Sequence, residues 1–228
     1  IMCMSKKIIS KRLIQNESDY KDPLEWGNLL GSFKFLFRSF IGSIISKKVK
    51  NKHKIKYLNL GSGSIYQDGW TNADFYRFRD IKIDWMLDAG KKWKCDDNFW
   101  DAIFSEHTLE HLTYKCAINA LEESYRTLKK GGILRLSLPN INLSIEHLTG
   151  NYVSVEFEEF KTNAECISFV TQNWGHKSTW DPELMISLLE EIGFIDVKKM
   201  EYQQSTIQEL CIETPDKVWE SMYIEAKK

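Results

Sequence analysis

The segment 54–74 reads KIKYLNLGSGSIYQDGWTNAD, and no other stretch limits the fold as tightly. A short apolar run (Tyr57, Leu58, Leu60) passes straight into Gly61-Ser62-Gly63, and Asp74 closes the next apolar stretch. Glycines at the carboxyl end of a strand let main chain approach a ligand with no Cβ in the way. In open α/β sheets that edge is where nucleotides and related cofactors bind, and an acid on the neighbouring strand can hold ribose hydroxyls. The pattern points to a sheet built around a nucleoside.

What is missing narrows the nucleoside. A dinucleotide fingerprint needs a third glycine to pack helix on strand beside a pyrophosphate, and here that position is Tyr66. No Gly-Lys-Ser/Thr follows, so a P-loop is excluded as well. A nucleoside without phosphates fits better, and S-adenosylmethionine is the common one. Only about ten residues separate Gly63 from Asp74, too few for a crossover helix plus a strand. The first connection is therefore expected to be a loop, with the first helix abbreviated.

Beyond residue 54 the pattern alternates. Strands are expected at 55–60, 70–74, 83–87, 101–105 and 133–138, with a helix at 114–129 stopped by Gly131-Gly132. A further helix at 182–192 ends at Gly193, and two closing strands near 194–202 and 222–226 are expected to form an antiparallel edge. Such alternation predicts a mostly parallel sheet with helices on both faces. Residues 1–53 read differently, as an N-terminal helical extension. Phe33, Leu36, Phe37, Phe40, Ile41, Ile44 and Ile45 recur at i, i+3, i+4, and Lys47, Lys48 and Lys50 follow. That helix either packs on the domain or lies against anionic lipid or a partner, although Gly31 and Gly42 weaken it.

The blocks LNLGSG, GWTNAD, SEHTLEHL, GGILRLSLPN, LLEEIGF and ESMYIEA, in this order over residues 54–228, resemble the class I SAM-dependent methyltransferases. The likeness is strongest to type-11-like members associated with bacterial surface-polysaccharide (capsule and lipopolysaccharide) biosynthesis. It implies a doubly wound, Rossmann-like α/β sheet of order 3-2-1-4-5-7-6 with strand 7 antiparallel. It assigns Gly61, Ser62 and Gly63 to the loop beneath the methionine part, Ser62 standing where relatives often have cysteine. Asp74 becomes the ribose acid and Asp88 the acid beside the adenine amino group. Glu106 and His107 become the residues facing the sulfonium. Trp93-Lys94 departs from the pattern and is expected to alter the adenine wall.

Methyl transfer from a sulfonium needs orientation and deprotonation of the acceptor rather than leaving-group assistance. Histidine suits the proton transfer near neutral pH, so His107, His111 and His176 are the candidate catalytic residues. Pro139-Asn140 offers an amide to the acceptor, or is a plain turn. His107, Glu110 and His111 share one face if the segment is helical, and with His176 they would suit a divalent ion; metal-free chemistry is the expectation and the ion the alternative. Residues 141–180 are too long for a simple connection and are read as an acceptor lid. Its aromatics (Tyr152, Phe157, Phe160, Phe169, Trp174, Trp180) can stack on sugar faces and its acids bind hydroxyls, but most of them are expected to form the lid's own small core.

A net charge of −1 and the acidic run 156–159 argue against nucleic acid as a partner. Five scattered cysteines with no CxxC pair suit free thiols in a reducing cytoplasm. The chain shows no signal peptide and no apolar run long enough to span a bilayer. The expected protein is thus a cytoplasmic O-methyltransferase, with peripheral contact at the inner membrane as an option. Its acceptor would be a small, carbohydrate-related molecule and its product S-adenosylhomocysteine. A non-catalytic SAM-binding scaffold, a nucleic-acid methyltransferase and a dehydrogenase are the rival readings.

Overall fold

The computed structural model describes residues 47–50, 54–75, 82–151 and 153–228, so the helix expected at 33–45 and Tyr152 of the lid lie outside the described residues. Seven strands form one sheet: β1 (Tyr57–Leu60), β2 (Thr71–Asp74), β3 (Trp85–Met86), β4 (Trp100–Glu106), β5 (Leu128–Pro139), β6 (Ile195–Met200) and β7 (Ser221–Lys227). Their order is β3-β2-β1-β4-β5-β7-β6, as the resemblance implies. β1 to β5 run parallel and β7 runs antiparallel to both its neighbours. The five parallel strands therefore deliver their carboxyl ends to one edge. The pairing of Pro139 with Ser221 brings the start of β7 to the same edge.

One face is covered by α1 (Tyr114–Thr127) and α4 (Pro182–Ile192). Ala117, Ala120 and Leu121 of α1 and Met185 and Leu189 of α4 are buried against Leu58, Ile103, Leu134, Leu136 and Ile224, the single apolar stripe expected of a surface helix. α4 is punctuated locally. Asp181 accepts the Leu184 amide at 2.7 Å, Pro182 opens the first turn, and Gly193 ends it at φ +115°, where a side chain would strain the backbone. Contrary to the helices expected on both faces, among the described residues the opposite face carries no α-helix. The irregular segment 201–214 covers it, placing Leu210 on Ala102, Phe104 and Ile133.

That second face also buries charge. Arg135 of β5 donates Nε to Glu213 Oε1 at 2.8 Å with both side chains fully buried, and its Nη2 bonds the Glu201 carbonyl at 3.0 Å. Glu225 of β7 accepts from the Thr206 hydroxyl at 2.6 Å and from its amide at 3.2 Å. These bonds clamp the covering segment to the sheet where helices would otherwise supply apolar area.

Two further expectations shift. β3 has two residues rather than five, because Asp84 replaces ladder bonds with side-chain bonds to the Asn72 amide (2.9 Å), the Asn72 Nδ2 (3.0 Å) and the Tyr66 hydroxyl (2.9 Å). Gly131-Gly132 does not stop the helix: α1 ends at Thr127 and β5 begins at once. The glycines sit in a bulge where the pairing jumps from Trp100–Leu128 to Ala102–Ile133. A Cβ at residue 132 would lie 2.9 Å from the Lys129 carbonyl oxygen and 3.0 Å from that of Asp101, so the bulge itself demands glycine. The connection from β1 to β2 contains no helix, as the short spacing predicts. Cys95, Cys116, Cys166 and Cys211 are free thiols. Among the described residues no helix is long and apolar enough to cross a membrane.

Removing one partner of a buried ion pair strands the other without water. Glu213→Ala is expected to lower stability by about 3–5 kcal/mol in urea unfolding, and the double change Glu213→Leu with Arg135→Met to restore most of it.

Candidate active site

The glycine loop is pinned to β2. The amides of Gly61 and Ser62 both bond the Ala73 carbonyl, at 2.8 and 3.0 Å, and the Gly63 amide donates to Asp74 Oδ2 at 2.8 Å. The two glycines do different work. Gly61 (φ +72°) has Thr108 packed where a Cβ would be, with Oγ1 2.0 Å from that position, whereas Gly63 (φ +51°) faces open space. Gly63 is thus the one that leaves room for a ligand beside a carboxylate. In place of a first helix, the buried Asn72 side chain holds the loop, accepting the Gln67 amide at 2.8 Å and donating to its carbonyl at 2.9 Å.

The other expected cofactor residues lie on the same edge with partners of their own. The Leu87 amide bonds the Asp74 carbonyl at 2.9 Å, which sets Asp88 next along the edge. There Asp88 accepts the Gly90 amide at 3.1 Å and pairs with Lys91 at 2.9 Å. Ser62 is buried. Glu106 turns toward the carboxyl-terminal part of the chain and accepts the Thr214 amide at 2.9 Å; burial pushes its carboxyl above the ordinary range despite that bond. Trp93 is a core residue rather than a pocket wall, buried edge-on against Trp85 with ring centroids 6.2 Å apart. Asn140 is a buried cap that accepts the Asn142 amide at 3.1 Å at the start of α2 (Ile141–Leu148).

Beyond β4 the chain makes an abrupt turn. His107 adopts φ +44°, rare and strained for a residue with a side chain, and a 3₁₀ turn at Leu109–His111 follows instead of the expected helix. The amides of Lys177 and Ser178 converge on the Glu110 carbonyl, at 2.7 and 3.2 Å, and the Ser178 hydroxyl bonds the Leu109 carbonyl at 3.2 Å. These bonds lay His176 against His111, ring centroids 5.1 Å apart. All three expected histidines therefore meet, in a pocket of about 220 Å³ lined also by Trp174, Lys217 and Glu220. That is below the roughly 300–1,000 Å³ of typical ligand pockets and suits one small acceptor group.

The hydrogen bonds assign protons. Ser221 donates its hydroxyl to the Lys217 carbonyl at 2.6 Å, so at 2.8 Å it accepts from His107 Nε2. His107 Nδ1 stands 3.3 Å from Glu110 Oε1. Burial opposes charge on His107, but the carboxylates of Glu110 and Glu220 outweigh it and raise its pKa above 6.5. Burial likewise opposes ionisation of Glu110, and His107 overrides it, holding that carboxyl below the usual range. His107 thus has both nitrogens engaged, and its two carboxylate neighbours favour the protonated ring. His111, whose Nε2 is 4.0 Å from Glu110 Oε1, is held below 6.5, mainly by burial, with His176 and His107 adding to it. His176 donates Nδ1 to the Val170 carbonyl at 2.8 Å, which leaves Nε2 as the lone-pair nitrogen of its neutral form.

Thr108, Thr214, Lys217, Glu220 and Ser221 were not legible as site residues; most reach the edge from distant chain and carry no spacing signal. Of the lid aromatics, Phe157, Phe160 and Phe169 cluster with Trp219 at centroid distances of 5.2–5.8 Å. They form the small core anticipated for the lid. Trp180 joins the main core and Trp174 lines the pocket.

Residues 70–136 match a protein family described as a methyltransferase domain. No curated protein matches the sequence. Solved structures that resemble the chain include a SAM-dependent methyltransferase from Archaeoglobus fulgidus, 18% identical, covering 86% of this chain and 100% of that one with a TM-score of 0.47. Another is the 1,6-didemethyltoxoflavin-N1-methyltransferase of Burkholderia thailandensis, 11% identical, covering 99% and 89% with a TM-score of 0.48. A third, from Thermotoga maritima, is a SAM-dependent and possible histamine N-methyltransferase, 14% identical, covering 94% and 99% with a TM-score of 0.46.

Two outcomes follow from this geometry. Gly61→Ala combines left-handed strain with a clash on Thr108 and is expected to cost about 2–5 kcal/mol of stability in thermal or urea unfolding. Gly63→Ala, with open space around it, is expected to cost only the strain of about 1–2 kcal/mol. In NMR titration His107 is expected to have a pKa above 6.5, and Glu110→Gln, which leaves burial unopposed by that carboxylate, to drop it below that value.

Proposed function

We propose that this chain is a SAM-dependent methyltransferase, a reading its domain match and sheet order support, and that it methylates a hydroxyl of a small polar acceptor. The observation that carries the proposal is the pocket at the end of β4, lined by His107, His111 and His176 with the Glu110 carboxylate buried behind them, taken together with the glycine loop. Thr108 links the two parts, being packed on Gly61 one residue after His107.

The residues suit the cofactor. Among the described residues Gly63 leaves open space next to Asp74, and the β1–β2 connection supplies no helix to close over it. We assign Asp74 to the ribose hydroxyls, Asp88 to the adenine side, and Gly61, Ser62, Gly63 and Glu106 to the loop and wall around the methionine part. S-adenosylmethionine supplies an electrophilic methyl on a sulfonium, so the chain itself must hold the acceptor and let its proton go. Trp174 offers a face on which a sugar ring stacks, and Lys217 with Glu220 offers polar groups to hydroxyl or phosphate substituents. A sugar or a sugar-linked phosphate or phosphoramidate group, of the sort used in surface polysaccharides, is the acceptor class we infer. His107, with both nitrogens engaged, acts by orienting Glu110; His111 and His176 face the acceptor.

Release of S-adenosylhomocysteine, screened over nucleotide sugars, sugar phosphates and their phosphoramidates, is expected to identify a hydroxylic acceptor. Turnover confined to amines or nucleic acid would overturn the reading. Asp74→Ala is expected to weaken S-adenosylhomocysteine binding by roughly 1.5–3 kcal/mol in calorimetry, the worth of hydrogen bonds to a charged group.

A further inference from the structure

We infer that Glu110, His111 and His176 bind a divalent transition-metal ion and that the acceptor hydroxyl docks on it; the docking part rests on the reading above, the ion site does not. One donor atom from each residue lies within 4.8 Å of the others. Around a single ion, donors at 2.0–2.2 Å stand roughly 3.4 Å apart in a tetrahedron, so the three need to draw together by about an ångström.

Glu110 is the reason to expect an ion. Only 1% of the residue is exposed, yet neither carboxylate oxygen makes a well-formed hydrogen bond among the described residues. His107 Nδ1, at 3.3 Å, faces only one of its two oxygens. Ionised carboxylates taken out of water cost several kcal/mol unless charge and hydrogen bonds both compensate, and this one is compensated on one side only. A cation between Glu110 and the two imidazoles supplies the remainder.

The surroundings are those of a metal ligand set. His176 donates Nδ1 to the Val170 carbonyl at 2.8 Å, which fixes its tautomer with Nε2 available. The His107–Ser221–Lys217 carbonyl chain orients the Glu110 carboxylate from behind. The two amides on the Glu110 carbonyl hold the segment of His176 in register with the 3₁₀ turn. Two imidazoles that line a pocket, with one carboxylate buried behind them, are the donor set of a site that keeps a coordination position for substrate. Mixed nitrogen and oxygen donors favour zinc, cobalt or related ions over magnesium or calcium, which prefer oxygen alone.

Such an ion lowers the pKa of a hydroxyl bound to it. The proton leaves to water and the oxygen attacks the methyl carbon. The carbon–oxygen bond then forms as the carbon–sulfur bond breaks, and sulfur keeps the electron pair as a neutral thioether.

The test is Co²⁺ titration of the chelator-treated chain by visible absorption, with Zn²⁺ calorimetry alongside, both without cofactor or acceptor. One ion per chain is expected. Glu110→Gln, His111→Asn and His176→Asn should each weaken it by more than the roughly 10–100-fold that loss of an outer partner costs, and Ser221→Ala by an amount within that range. Far-UV circular dichroism identifies any variant that fails to fold, and the remaining two then decide. Absence of binding, or binding indifferent to all the folded ligand variants, overturns the site. Undiminished methyl transfer to a hydroxylic acceptor under chelation overturns the ion's role and leaves the acceptor reading standing. Ion binding without transfer to any hydroxylic acceptor supports the ion site and overturns that reading.

Discussion

The convergence of the Lys177 and Ser178 amides on the Glu110 carbonyl is the contact on which the pocket depends. The three histidines come from two separate parts of the chain, and nothing local brings them together. Two main-chain bonds and the Ser178 hydroxyl do so, independently of side-chain charge. Because these groups are largely buried, losing them leaves unpaid polar desolvation as well as misplaced rings.

A second constraint ties this pocket to the glycine loop. Parallel strands β1 and β4 end side by side, so the loop after one touches the turn after the other. Thr108 fills the space that Gly61 leaves, and its hydroxyl bonds the Glu106 carbonyl at 3.0 Å. The strained His107 is held between that packing and the continuing β4–β5 ladder, its amide bonding the Ser137 carbonyl at 2.9 Å. Strain of this kind persists where surrounding structure over-determines it, commonly at functional positions.

The sheet itself is asymmetric in how it is covered. One face uses two amphipathic helices and dispersed apolar contacts. The other, among the described residues, relies on an irregular segment held by Arg135–Glu213 and by Glu225. A loop cannot bury enough apolar area to stay down unaided, and charged hydrogen bonds supply the difference. The same segment carries Thr214 to Glu106, so the polar clamp also shapes the edge where the residues proposed to hold the cofactor gather.

Features governed by short-range physics were readable from the chain alone. Residues 182–192 were legible to the residue because Asp181, Pro182 and Gly193 punctuate the helix locally. The missing first helix followed from chain length, and the strand order followed from the resemblance. Gly131-Gly132 misled because a helix stop and a strand bulge ask for the same residue, and only the neighbouring strand distinguishes them. Asp84 and the 3₁₀ turn at 109–111 went unseen for a similar reason: a partner's position, not propensity, decides them. What the amino-acid order determined was therefore the alternation, the helix ends and the candidate histidines, since each depends on residues within a few positions. Which of those histidines is raised in pKa and which lowered, which glycine has room beside it, and that Glu110 lies buried among them were decided by the tertiary fold, because burial and charge pairing exist only once distant chain is brought together.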